Sequence, residues 1–345
     1  MRKIPIAIVG LNFGHCIIEK LLQGPEGKYF HIAAICDLDR AKAETIARRL
    51  GCKAYTDLDL LLQDKEIPAI GLFTGPHGRA KLLQRIIRAG KDVMTTKPFE
   101  LDPELAREVL QEARRRKRVI HLNSPSPLPS LDLEQIAQWR EEFDLGRPIA
   151  CRADAWASKH EKADGSWYDD PERCPVAPVF RLGIYLINDL IGFFGAPEEV
   201  QVLHSRLFTR RPTPDNAQVG IRFKNGGLVT IFSSFCIDDA QPYRNSLTLN
   251  FERGTIYRNI GPSPHLPGAE DDADLALITL RHGKPAVRRK LKPNGLSGIY
   301  QWEAFHRSIR GQKLGKTVTP QEIVAGIKVV VAMARAEKSG MTEKV

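Results

Sequence analysis

Lys3-Ile4-Pro5-Ile6-Ala7-Ile8-Val9, followed by Gly10-Leu11-Asn12-Phe13-Gly14-His15, is the stretch on which the fold turns. The first segment is a β-rich apolar run and the second a tight turn. Cys16 to Leu22 then reads as a helix, and a second apolar run, His31 to Cys36, ends on Asp37. Strand, glycine turn, helix, strand and acid in that order form the plan of a dinucleotide-binding unit. The helix N-terminus offers unpaired N–H groups and a positive dipole end to a pyrophosphate, and a carboxylate about 20 residues on accepts both ribose hydroxyls. A nicotinamide cofactor is the expected ligand, with Gly10, Asn12, Phe13, Gly14 and Asp37 against it.

The turn departs from the full glycine fingerprint. Gly10 serves the sharp exit from the strand, but Asn12 stands where a second glycine lets backbone approach the pyrophosphate. His15 holds the third position, with Gly14 just before it. Asn is the most tolerable substitute, because it enters left-handed backbone at modest cost. Asp37 favours NAD, since a carboxylate there accepts from a free 2′-hydroxyl and repels a 2′-phosphate. Arg40 can cover the adenine or reach a phosphate, which keeps NADP as the alternative.

Past Asp37 helices and strands keep alternating. Arg40 to Leu50, Arg79 to Ala89 and Pro103 to Arg116 read as helices; Ala69 to Thr74, Asp92 to Thr96 and Val119 to Asn123 read as strands. This pattern predicts a doubly wound parallel sheet with ligands outside the carboxyl ends of its strands. The loops Thr74-Gly75-Pro76-His77 and Thr96-Lys97-Pro98-Phe99 therefore open onto the cofactor, and Thr74, Pro76, His77, Lys97 and Pro98 join its candidate contacts.

The proline-rich segment Asn123 to Pro129 marks a domain junction, giving a dinucleotide-binding Rossmann domain over 1–123 and a second domain over 124–345. In the latter, helices near Leu133 to Glu142 and Leu182 to Phe194 accompany β-runs near Pro148 to Trp156, Glu199 to Phe208, Ala217 to Phe223, Gly227 to Ser234, Ser246 to Phe251 and Thr255 to Ile260. Grouped strands predict an α+β domain, a predominantly antiparallel sheet with helices on one face. Glu303 to Ile309 and Pro320 to Lys338 read as closing helices. The uncovered face of the sheet points to a homodimer or homotetramer as the expected assembly.

With 345 residues, 42% hydrophobic and 27% charged, the chain has the composition of a globular two-domain protein. No apolar stretch approaches the roughly 18 to 20 residues of a membrane span, and the short N-terminal run lacks a signal-peptide pattern, so a cytoplasmic protein without membrane partners is expected. The six cysteines are scattered without a CxxC pair or histidine cluster, which predicts reduced thiols and no metal site. The net charge of +10 invites a nucleic-acid reading. Its densest run, Arg114 to Arg118, instead closes a helix that starts with acids, where cations complement the dipole; no nucleic-acid partner is expected.

Several pieces together carry a family resemblance: the Gly10 to Gly14 turn, Cys36-Asp37-Leu38-Asp39-Arg40, Tyr55-Thr56-Asp57, Gly90-Lys91-Asp92-Val93 leading to Lys97-Pro98, and Leu182-Gly183-Ile184-Tyr185-Leu186-Ile187-Asn188. Over nearly its full length the chain resembles the Gfo/Idh/MocA family of sugar and polyol oxidoreductases. The resemblance implies that Lys97 lies between substrate and nicotinamide, where its ammonium stabilises a developing alkoxide. It implies that Tyr185 is the acid–base group, in the glucose-fructose oxidoreductase manner of Gly-Ile-Tyr with a following Asn188. The family's glutamate before the lysine is Thr96 here, its usual histidine after Thr-Pro-Asn is Arg79, and its aspartate before Gly183 is Arg181.

Arg181, Tyr185 and Asn188 have helical spacing and are expected to share one cleft. Arg181 suggests an acidic substrate, a sugar acid or sugar phosphate, against the alternative that it pairs with Asp169, Asp170 or Glu172 in the adjoining loop. Trp156 and Trp167 are candidate stacking faces for a sugar ring. The function expected is hydride transfer between nicotinamide and a secondary alcohol or carbonyl of a sugar, sugar acid or polyol. The alternatives are a cofactor-binding sensor without turnover, or an enzyme that retains NAD to cleave or epimerise a sugar.

Overall fold

The computed structural model describes residues 2–159, 161–239, 243–260, 273–281, 284–292 and 295–345. Contacts divide the chain into two units, Met1–Leu128 with Tyr300–Gln321, and Pro129–Ile299 with Glu322–Val345. The single cut expected after residue 123 does not account for Tyr300–Gln321, which belongs to the first unit. Trp302 and Phe305, three residues apart on a helix, explain why: both are buried, and Phe305 stacks on Phe30 with ring centroids 5.5 Å apart.

The first unit runs β1 (Ile4–Val9), α1 (Leu11–Gln23), β2 (Phe30–Cys36), α2 (Arg40–Leu50), β3 (Lys53–Tyr55), α3 (Leu58–Gln63), β4 (Ala69–Leu72), α4 (Arg79–Arg88), β5 (Asp92–Thr95), α5 (Pro103–Arg115) and β6 (Ile120–Leu122). The strands form a parallel sheet in the order β3-β2-β1-β4-β5-β6, with the strand order reversing between β1 and β4. A doubly wound sheet binds its ligand at that switch point. Central strands are buried on both faces, so Ile6, Ala7 and Ile8 are fully covered and read as a continuous apolar run. The short β3 and α3 were not expected, because three strand residues are too few to show a period.

Helix ends follow local chemistry. Asp39 and Asp102 accept N–H groups at the starts of α2 and α5, and Pro103 occupies the first helical position. Within the basic run that closes α5, Arg116 lies 2.7 Å from Glu112, which also lies 2.8 Å from Arg88 of α4, and these guanidinium groups hold its carboxyl down at about 2.

The second unit contains α6 (Leu131–Glu142), β7 (Pro148–Trp156), α7 (Ile184–Phe194), β8 (Pro197–Ser205), β9 (Asn216–Phe223), β10 (Leu228–Ser234), β11 (Arg244–Phe251), β12 (Gly254–Arg258), β13 (Ala273–Arg281) and β14 (Lys284–Lys292). After α8, the first unit's helix Trp302–Ile309, the chain returns through α9 (Pro320–Ser339) to β15 (Glu343–Lys344). The strands form one sheet, β14-β13-β12-β11-β7-β10-β9-β8-β15, antiparallel throughout except for the parallel pair β7 and β10. Strands β13 and β14 are not among the β-runs expected from the sequence; five of the nine residues of Lys284–Lys292 are cations, which obscures the alternation of a strand.

One face of this sheet is buried by Cys151, Ala153, Val219, Ile221, Val229, Ile231, Leu247 and Leu249, alternating with more exposed neighbours. Gly183 sets the approach of α7 to that face, since a Cβ there would lie 2.8 Å from Ser233 Oγ and 3.2 Å from Ile231. A buried ionic cluster pins helices to the sheet. Arg258 of β12, fully buried, lies 2.6 Å from Asp132 of α6 and 3.7 Å from Asp189 of α7, and also donates to Asn245. Ser297 Oγ donates to Asp189 at 2.8 Å. Burial pushes the Asp189 carboxyl up to about 7, against the pull of Arg258.

Candidate functional site

On the first unit the carboxyl ends of the strands gather the predicted cofactor residues. Gly10 has a φ of 85°, and a Cβ on it would lie 3.0 Å from the carbonyl carbon and oxygen of Phe73; no other residue type fits between β1 and the end of β4. Helix α1 begins at once with Leu11, five residues earlier than expected. Asn12 is therefore helical, and the left-handed conformation expected for it is not used. Gly14 takes the close-packing role expected at His15: it is buried, and its Cβ would stand 3.0 Å from Ile8 Cγ2, whereas His15 is exposed.

Asp37 sits at the end of β2, and its two carboxylate oxygens accept from Leu11 N at 2.7 Å and Asp39 N at 2.9 Å. Each oxygen has a second lone-pair site, so the carboxylate anchors the glycine turn and can still accept ribose hydroxyls. Lys42 Nζ lies 2.5 Å from Asn12 Oδ1, placing beside the first turn of α1 a cation that no motif in the sequence singles out. Arg40 is exposed and paired with Glu44 at 3.5 Å. Phe13 is exposed and meets Phe73 edge to face, with ring centroids 6.1 Å apart.

After β4, Thr74 is half-buried, Pro76 buried and His77 exposed. The Thr74 hydroxyl is buried and has no hydrogen-bond partner among the described residues. After β5, half-buried Lys97 donates its backbone N–H to Asn123 Oδ1 at 2.9 Å, and the Lys97–Pro98 peptide is cis, with Pro98 buried. The sequence marks Asn123 only as a strand end and the start of the domain junction; a side chain reaching from the end of β6 to the end of β5 has no local signature. A dinucleotide fits this edge: it offers the glycine turn, the Asp37 carboxylate and the orphaned Thr74 hydroxyl.

On the second unit, a π-helical turn at Val179–Gly183 leads into α7. Arg181 corrects the expectation most. Its guanidinium is held bidentately by Glu161, at 2.6 and 2.9 Å, and lies 4.0 Å over the Tyr168 ring and 4.7 Å over that of Phe235. The acids offered as partners are engaged elsewhere: Asp169 with Arg211 at 2.7 Å, Asp170 with Arg173 at 3.5 Å, and Glu172 with Lys338. The Arg181 hydrogen bonds hold the Glu161 carboxyl below its usual range.

Tyr185 and Asn188 are half-buried on a helix whose intervening residues are buried, as their spacing predicts. Each meets a glycine. A Cβ at Gly298, whose φ is 101°, would come 2.7 Å from the Tyr185 ring, and one at Gly326 of α9 would come 2.2 Å from Asn188 Oδ1. Trp156 donates through Nε1 to Asp239 at 3.1 Å, and Trp167 packs on Tyr168 with ring centroids 4.1 Å apart. Among the described residues no three His, Cys, Asp or Glu side chains gather as a metal site, and no helix is long and apolar enough to cross a membrane.

A family model described as "Oxidoreductase family, NAD-binding Rossmann fold" matches residues 4–124, and one described as "GFO/IDH/MocA C-terminal domain" matches residues 133–257. Two uncharacterized oxidoreductases of Schizosaccharomyces pombe are 27% and 23% identical over 42% and 62% of this chain, which spans 39% and 57% of their own lengths. The 1,5-anhydro-D-fructose reductase of Ensifer adhaerens is 24% identical over 85% of this chain and 84% of its own. In fold, the chain is similar to levoglucosan dehydrogenase solved in complex with NADH, with a TM-score of 0.76 at 15% identity over 100% of this chain and 99% of that one. With both of its characteristic domains matched in order and an NAD-binding Rossmann edge in place, this chain belongs to the Gfo/Idh/MocA family of oxidoreductases.

Proposed function

We propose that this protein is an NAD-dependent dehydrogenase acting on a secondary alcohol, or the matching carbonyl, of a neutral sugar or polyol. The observation that carries this reading is Lys97, held at the carboxyl end of β5 by the Asn123 amide oxygen on the edge that fits a dinucleotide. When bound, the nicotinamide supplies the hydride acceptor or donor. Lys97 stabilises the negative charge that grows on the substrate oxygen, and the Tyr185 phenol exchanges a proton with that oxygen. Asn188 and the rings of Trp156 and Trp167 serve the sugar through hydrogen bonding and stacking. The names of the relatives, a reductase of an anhydro-sugar and a levoglucosan dehydrogenase, support a carbohydrate.

NAD is favoured over NADP because the Asp37 carboxylate would face a 2′-phosphate, while Glu44 draws Arg40 away as a counter-charge. The test is a fluorescence titration with NADH and NADPH, followed by turnover on sugars, polyols and sugar acids. Tighter NADH binding with activity on neutral substrates is expected; binding without turnover on the whole panel overturns the dehydrogenase reading.

A neutral substrate is favoured because the fork of Arg181 is already filled by Glu161. Arg181→Ala should lower the melting temperature yet leave the ratio of activities on a neutral sugar and its carboxylate analogue unchanged. A selective loss of the carboxylate activity would restore the acidic-substrate reading.

The second unit's sheet supports self-association. Leu228, Ala150, Asn250, Thr255, Ile278 and Val287 lie in one register row across its outer face, with Leu228, Ile278 and Val287 exposed. Sedimentation is expected to show a homodimer or homotetramer, and a monomer would remove this part of the reading.

A further inference from the structure

Arg79 is fully buried at the first position of α4, where a cation stands against the helix dipole. Burying a guanidinium there weakens α4, so the compensation must lie in what the group holds. Its hydrogen bonds run to backbone carbonyls of two loops. It donates to Thr74 O at the end of β4, and to Thr96 O, at 2.6 Å, and Pro98 O beyond the end of β5. Phe99 O lies 3.5 Å from the same nitrogen as the latter two. Glu100, also buried, accepts the Ala80 N–H at 2.7 Å and the Leu101 N–H at 2.7 Å, so a carboxylate closes the end of the same loop onto the start of α4. Carbonyls on both sides of Lys97 are thus held by one rigid fork, while the Lys97 N–H is held by Asn123.

We infer that Arg79 is a positioning residue for Lys97: its guanidinium cross-braces the β4 and β5 loops and fixes the backbone from which the Lys97 ammonium reaches the reacting oxygen. This rests on the reading of Lys97 as the group that stabilises charge on the substrate. Arg79 stands in place of the family's histidine, and its bond to the backbone carbonyl of Thr96 restrains the lysine loop whatever side chain residue 96 carries. A planar guanidinium reaches the carbonyls of the two loops from two separate nitrogens, whereas a lysine has all three of its donors on a single nitrogen.

The test combines hydrogen exchange with a double-mutant cycle. Arg79→Gln should raise exchange at the Lys97 and Phe99 amides by about tenfold or more, leaving the strands of the sheet protected. Its kcat should fall by about a hundredfold, the scale of a misplaced catalytic group, with NADH affinity changed far less. In a Lys97→Ala background the same substitution should cause no further loss of kcat, because the group it positions is gone. Arg79→Lys, which keeps the charge without the fork, should fold and show the same pattern to a lesser degree, and it stands in if the glutamine variant does not fold. Unchanged exchange at 96–99, or losses that multiply in the double variant, would overturn the inference. If the parent turns over nothing, the dehydrogenase reading fails by itself, and the exchange data still decide whether Arg79 braces the loop.

Discussion

Tyr185→Phe is expected to lower kcat by about 10²- to 10⁴-fold, the usual contribution of a positioned acid–base group, with NADH binding unchanged. The substitution is well suited to isolating chemistry from packing. The ring of Tyr185 lies against Gly298, and the contact that a Cβ at 298 would violate is to the ring carbons, which phenylalanine keeps. Only the hydroxyl is lost. A phenol in water ionises near pH 10, so in carbonyl reduction it is already in the donating form at neutral pH, whereas alcohol oxidation needs a neighbouring cation to favour the phenolate. Lys97→Ala should also remove about 10²-fold or more of kcat, because its ammonium is the group proposed to stabilise charge on the substrate oxygen. Stopped-flow or steady-state rates in both directions make the comparison; activities within about threefold of the parent for either variant would exclude that residue from the chemical step.

The largest expected effect on stability follows from Arg258. Replacing it by Met would leave the carboxylates of Asp132 and Asp189 buried without their shared cation, a loss of about 3–5 kcal/mol for a broken buried ion pair. In a unit of this size, thermal unfolding should move down by roughly 10 °C. The same cluster predicts a pH signature. The folded-state pKa of Asp189 lies at about 7, above the usual carboxylate value, so between about pH 4 and 7 the folded protein binds more protons than the unfolded chain. Its contribution to stability must then fall as pH rises through that window and level off above it. Asp189→Asn should flatten this slope relative to the parent. An unchanged difference in unfolding free energy between pH 4 and 7 would show that Asp189 does not titrate there.

The first unit was readable because its information is local. A buried parallel strand writes itself as an apolar run, a glycine turn and a helix follow, and Asp37 comes at the end of the next strand; each feature spans a few residues. Where the reading slipped, the cause was tertiary. Asn12 was expected in a left-handed turn, but Gly10 alone makes the turn and the helix starts on the next residue. The helix Trp302–Ile309 was placed with the second domain by sequence proximity and belongs to the first by aromatic packing on Phe30.

By itself, then, the sequence determined the two-part architecture, the places of Gly10, Asp37 and Lys97 at the carboxyl ends of parallel strands, and the helical face bearing Tyr185 and Asn188, because periodicity and turn chemistry act between near neighbours. Only the tertiary structure decided the partners: Glu161 for Arg181, Asn123 for Lys97, and carbonyls on two loops for Arg79. A buried charge or N–H must find its complement somewhere, but which residue supplies it depends on elements that fold beside one another from distant parts of the chain, and no spacing in the sequence records that choice.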